Sequence, residues 1–134
     1  MPPPEQTRHR LVQEWRRKAN EDFAVAEYLV SSTRPYYGAV GFHAQQAAEK
    51  YLKAFLVHHQ IEFPKTHDLD RLLDLMAGVA EPLANLLRGV VVLNAYGVET
   101  RYPADLPELT LHQAQDAVEL ATTVRDVVCN AIGV

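Results

Sequence analysis

The sequence is nearly without cysteine: Cys129 is the only one among 134 residues. An internal disulfide is therefore excluded, and a lone thiol fits a reducing cytoplasm. Long apolar runs are also missing. Apolar runs such as Gly89 to Leu93 fall far short of the roughly 20 residues that cross a bilayer as a helix, so no membrane association is expected. The opening residues MPPPEQTRHR contain no apolar signal-peptide core, and export is not expected either. Positive charge is not in surplus. A formal net charge of −4 argues against bulk, sequence-independent binding of duplex DNA, but leaves room for one local phosphate site. A glycine-rich phosphate loop, a Gly-x-Ser-x-Gly elbow, an HExxH pair and paired cysteines are all missing. Neither a cofactor nor a metal is expected. His58, His59 and His67 do not alter this, because adjacent histidines at a helix end point in divergent directions.

What is present is helical periodicity. With 48% hydrophobic and 22% charged residues, the composition is that of one ordinary globular domain. No run alternates with the two-residue period of a strand. Residues 1–7, with Pro2, Pro3 and Pro4, are read as a flexible proline-rich tail, and residues 8–134 as one helical domain. A first helix is expected from about Arg8 to Ser31, with Trp15, Ala19, Asp22, Ala26 and Leu29 on one stripe flanked by Leu11, Phe23 and Val30. Asp22 is the anomaly there. The central helix is expected from about Tyr36 to Gln60, its apolar stripe built from Ala44, Ala47, Ala48, Tyr51, Phe55 and Leu56. A second row, Phe42, Gln45, Glu49, Leu52 and Leu56, is apolar except for an amide and a carboxylate at its centre. Buried polar groups need partners.

A short third helix, capped by Thr66, is expected to stop near Gly78. Pro82 then opens a fourth, carrying Leu83, Leu86, Leu87, Val90, Val91 and Asn94 towards Thr100 until Tyr102-Pro103 ends it. The last helix starts at a Thr110–Gln113 capping box and aligns Ala114, Ala117, Ala121, Val124 and Val128 on the way to about Ile132. The fold class is all-α, an up-and-down antiparallel bundle of four long helices and one short one.

Three segments in order, FHAQQAAEKYLKAFL, PKTHDLDRLLDLM and NAYGVETRYPADLPELT, together resemble the HEPN family (higher eukaryotes and prokaryotes nucleotide-binding domain). The resemblance runs from about Trp15 to Val128. It implies a helical bundle that usually dimerises, often encoded beside a minimal nucleotidyltransferase as a toxin–antitoxin module. Many members are metal-independent ribonucleases, whose signature is an arginine followed by a histidine after four to six intervening residues. The matching arginine here is Arg101, in Thr100-Arg101-Tyr102-Pro103, but the next histidine, His112, follows only after ten intervening residues. Ribonuclease activity is therefore not implied by an intact motif.

Arg101 is the first candidate, because a guanidinium suits bidentate contact with the phosphate of RNA or a nucleotide. The competing reading is a salt bridge to Asp22 or Glu49, or capping of its own helix. Asp22, Gln45, Gln46 and Glu49 form a second set, expected to gather near Arg101 with Lys50 or Lys53 at the rim. Such a set either tunes acid–base chemistry or forms a satisfied polar layer. His43 and His112 are the histidines considered for catalysis, since imidazole can take a 2′-hydroxyl proton near neutrality. For His112 the plainer reading is an exposed first turn, and for His43 a packed or interfacial ring. The partners expected are a second copy, a minimal nucleotidyltransferase, and RNA or nucleotide. A purely interacting module with no site of its own is the rival.

Overall fold

The computed structural model describes residues 4–97 and 108–134. Four α-helices and one 3-10 segment form the bundle: α1 (Pro4–Val30), α2 (Tyr37–His58), α3 (Leu69–Leu87), the 3-10 segment (Arg88–Tyr96) and α4 (Leu111–Ile132). No strand occurs among the described residues.

Helix α2 is the axis, packing against every other element and most extensively against α1 and α4. Its sequence dictates this position. Ala44, Ala47 and Ala48 are fully buried and let neighbouring backbones approach, while Tyr51, Leu52, Phe55 and Leu56 fill the space between them. From α1 come Val12, Ala19, Phe23 and Ala26, and from α4 Ala114, Ala117, Ala121, Val124 and Val128. Each set follows the helical period. On α1 the stripe turns by one residue at its start, so Val12 is buried and Leu11 is exposed.

Three boundaries differ from expectation. Helix α1 already begins at Pro4, within the expected tail. A proline suits the first helical position, where the missing N–H has no acceptor to lose and φ is preset. The cap of α3 is Asp68, whose carboxylate accepts from the Asp70 N–H at 3.0 Å. Thr66 acts one step earlier, its hydroxyl accepting from the Asp68 N–H at 3.1 Å. The third difference lies after Gly78. The helical path breaks at Ala80 (φ −149°, ψ 62°) and resumes through Pro82 only as far as Leu87. From Arg88 to Tyr96 the chain is 3-10 and not α, and the rest of the expected fourth helix lies outside the described residues. The run Val90-Val91-Val92 lies within it, and consecutive β-branched residues are poor α-formers. By contrast, the Thr110–Gln113 capping box of α4 is present with both of its bonds.

By length and composition the run Leu69–Tyr96 is apolar enough to cross a membrane, with mean hydropathy 1.4 in its best window, although no uninterrupted apolar stretch reaches that length. It is broken at Ala80 and carries Arg88 bridged to Asp70 at 2.9 Å and Asp74 at 2.8 Å. Its inner side, from Leu69 and Leu72 to Leu87 and Leu93, lies in the core. Its outer side leaves Val79, Leu86 and Val92 exposed.

Candidate functional site

The polar residues in the middle of α2 are buried, as the mixed row implies: Gln45, Gln46, Glu49 and Lys53 all have less than a tenth of their surface exposed. Glu49 is the hub. One carboxylate oxygen accepts from Lys53 Nζ at 2.9 Å. The other accepts from His67 Nδ1 at 2.9 Å and from Gln45 Nε2 at 3.3 Å. Gln45 spends its second amide hydrogen on the His67 carbonyl at 3.0 Å, and its own oxygen accepts from Gln46 Nε2 at 2.7 Å. A buried carboxylate with three donors is satisfied. The Lys53 ammonium is compensated a second way, lying 5.3 Å from the Trp15 ring centroid and 5.8 Å from that of Phe63.

The loop that carries His67 is strapped to the 3-10 segment. Asn94 accepts from the Leu69 N–H at 3.0 Å and donates to the Asp68 carboxylate at 2.9 Å. Three residues on, Gly97 lies so close to α2 that a Cβ there would meet the Gln45 side chain at 2.5 Å. Gly41, one turn earlier on the same face of α2, is equally crowded: its Cβ would meet Leu109 at 2.7 Å and the Tyr96 ring at 3.1 Å. The chain therefore leaves the described region at Gly97 and re-enters beside Leu109 over one face of α2, the face that carries Gln45.

Asp22 builds a separate group on the seam between α1 and α2. It accepts from His43 Nδ1 at 2.8 Å and from Lys50 Nζ at 2.6 Å. The His43 ring also stands edge-on to Phe42, with centroids 5.2 Å apart. At 3.6 residues per turn, His43 lies about 160° around the helix from both Gly41 and Gln45.

The other titratable groups offer little chemistry. Burial pushes the Tyr51 phenol and the Cys129 thiol upward, so neither is a ready anion. His112 is exposed in the first turn of α4 and reaches only Asp116 on its own helix, Nε2 to Oδ2 3.3 Å. Among the described residues no three His, Cys, Asp or Glu side chains are grouped to hold a metal ion.

The model of the HEPN domain family matches residues 12–132, nearly the whole chain. The chain belongs to the HEPN family. Searches among curated proteins and among solved structures gave no significant match.

Of the residues singled out in this HEPN domain, the structure unites Gln45, Gln46, Glu49 and Lys53, and separately Asp22, His43 and Lys50. The expected single cluster of Asp22 with Glu49 is corrected: each carboxylate takes its own lysine and histidine, because Lys50 and His43 face α1. Lys53 is corrected too. It is buried and not at a rim, since its ammonium follows Glu49 one turn back into the space beside Trp15. Arg101 lies outside the described residues. Sequence reasoning missed His67 as the partner of Glu49. The available signal was a buried carboxylate on α2 facing the short PKTHDLD connection, which has to return across that helix.

Proposed function

We propose that this HEPN domain binds RNA or a nucleotide through Arg101, as a component of a prokaryotic toxin–antitoxin or nucleotidyltransferase-associated system. The observation that carries the reading is the packing of Gly97 on Gln45. Arg101 follows four residues later in the sequence. The Gln45–Glu49–His67 group adjoins Gly97, and a guanidinium suits phosphate. The family supports the same reading, being generally associated with ribonucleases and toxin–antitoxin systems.

The test is fluorescence anisotropy with a labelled single-stranded oligoribonucleotide and, separately, ATP. Arg101→Ala is expected to weaken binding at least about 10-fold, the scale of one lost charge-assisted contact, with an unchanged melting temperature. Equal affinity in wild type and variant sinks the reading, and an unfolded variant makes Arg101 a structural ion-pair partner instead.

The outer side of the bundle supports partners as well. Leu86 and Val79 are more than half exposed, and Leu83, Leu86, Val127 and Ala131 line a shallow apolar depression between α3 and α4. A second copy is the occupant we favour, with a minimal nucleotidyltransferase as the companion protein. Leu86→Asp should shift a dimer to a monomer in light scattering, and a wild-type monomer defeats the assignment. The cytoplasm is the compartment proposed, where the partly buried Cys129 thiol stays reduced.

A further inference from the structure

The chain has six histidines, and they differ in what is left free on each ring. His43 is clamped by Asp22 and only 30% exposed. The rings of His58 and His59 stand against each other, with centroids 5.0 Å apart. His112 spends Nε2 on Asp116 of its own helix, and His9 has only Gln13, 3.4 Å from its Nε2. Among the described residues, His67 alone combines an open ring with a rigid mount. Its side chain is 70% exposed, while Nδ1 stands 2.9 Å from the Glu49 carboxylate, which is 3% exposed. Its carbonyl accepts from Gln45 Nε2 at 3.0 Å, and the next two residues are both tied to Asn94.

A surface imidazole needs none of this to stay in water, but a nucleophile gains from it. The Glu49 carboxylate, paired with Lys53 at 2.9 Å, only accepts hydrogens. It therefore places the hydrogen of the neutral ring on Nδ1 and leaves the lone pair on Nε2. Positive charge that develops on the ring as Nε2 attacks an electrophile is met by a carboxylate in the core, where water screens it weakly. The surroundings also suit an attached anion. His67 stands two residues before the start of α3, the positive end of that helix's dipole. The Asp68 carboxylate between them is spent on the Asp70 N–H and on Asn94.

We propose that His67 is a phosphoryl acceptor, modified at Nε2 by a small donor with a labile P–N or acyl-phosphate bond. Glu49 and Gln45 are its positioning residues. With phosphoramidate as donor, the Nε2 lone pair forms a bond to phosphorus, the P–N bond breaks, and its electron pair leaves with ammonia. The donor reacts in its N-protonated form, so the leaving group needs no further proton. The hydrogen on Nδ1 stays in its bond to Glu49, and that carboxylate offsets the positive charge gained by the ring. The modification uses no atom of Arg101 and is independent of the reading of that residue.

The full chain is incubated with phosphoramidate near neutral pH, quenched in alkali, and read by peptide mass spectrometry and phosphorus NMR. His67 should be labelled at least about 10-fold faster than His9, His58 or His112, the rate equivalent of one charged hydrogen bond, with the phosphoryl group on Nε2. His67→Ala should abolish that label and leave the slower ones and the melting temperature unchanged. Glu49→Gln should erase the advantage of His67 and let the group appear on Nδ1 as well, a change of regiochemistry that loss of packing alone does not produce. Where that variant fails to fold, the comparison among the histidines of the wild type decides alone. Labelling that merely follows exposure overturns the proposal. So does a phosphoryl group on Nδ1 of the wild type, or the absence of phosphohistidine.

Discussion

Asp22 and Glu49 each accept from a histidine Nδ1 and a lysine Nζ, at 2.8 and 2.6 Å in the first group and 2.9 and 2.9 Å in the second. The bonds match, but the surroundings do not. Around Asp22 exposure is graded gently, the carboxylate side chain at 13%, Lys50 at 23% and His43 at 30%. Around Glu49 it is polarised: the carboxylate is at 3% and Lys53 at 8%, while His67 stands at 70%. The first group joins two helices at a half-wet seam. The second sinks a charge pair into the core and brings one imidazole to the surface on a fixed mount. Burial of the hub, and not the identity of the bonds, separates a clamp from a presenting site.

If that contrast is right, removing the two carboxylates should have unequal costs. Glu49→Ala strands the Lys53 ammonium in the core, an uncompensated charge that costs about 3–5 kcal/mol. Urea denaturation measures it, and a loss below about 1 kcal/mol means that Lys53 reaches water and that Glu49 is no deeper a hub than Asp22. Replacing the pair together, Glu49→Leu with Lys53→Met, should recover most of the loss, as apolar substitutes often do for buried ion pairs.

Gly97→Ala is expected to come next, at about 1–3 kcal/mol, the range for overpacking a filled space. Gln45 cannot swing aside freely, because its amide is committed to Glu49, His67 and Gln46. The His67 ring resonances should move in this variant while those of His43 stay in place. Equal movement of both, or of neither, breaks the separation between the groups. Asp22→Ala follows, at about 1–2 kcal/mol by the scale of charged hydrogen bonds, since Lys50 and His43 can turn to solvent. A cost equal to that of Glu49→Ala removes the contrast.

The division between the groups also explains what the sequence made legible. The apolar stripes of α2 and α4 repeat at helical spacing, and the Thr110 cap is a local pattern, so those elements can be read directly. The row Gln45–Glu49 announces a buried polar centre for the same reason, and Lys53 stands one turn further on, where a partner of Glu49 belongs. His67 carries no such period. It sits in a connection whose path over α2 is set by Asn94 and Gly97, contacts made across 25 or more residues of chain. The change from α to 3-10 at Arg88 is equally silent, since the hydrophobic residues continue through it. Asp22 and Glu49 look interchangeable as anomalies in apolar rows, and only the burial around each tells them apart.

A third histidine on the bundle tests whether a carboxylate is what distinguishes these groups. His59 follows the end of α2, its ring 4.4 Å from Phe55 and next to that of His58. Its pKa is pushed below the ordinary 6.5, first by burial and then by the charges of His58 and Arg8. The sign follows from proton binding: below about pH 6.5 the unfolded chain holds a proton at this site more readily than the folded one. The contribution to stability is therefore complete above that pH and is lost as pH falls towards the depressed value. Denaturant midpoints taken at about pH 7.5 and 5.5 should differ less for His59→Gln than for wild type. The gap between the two proteins should stay below about 0.5 kcal/mol, because His59 is only partly buried and solvent screens its charge. An unchanged or wider difference in the variant means that the acid sensitivity of the bundle does not come from His59.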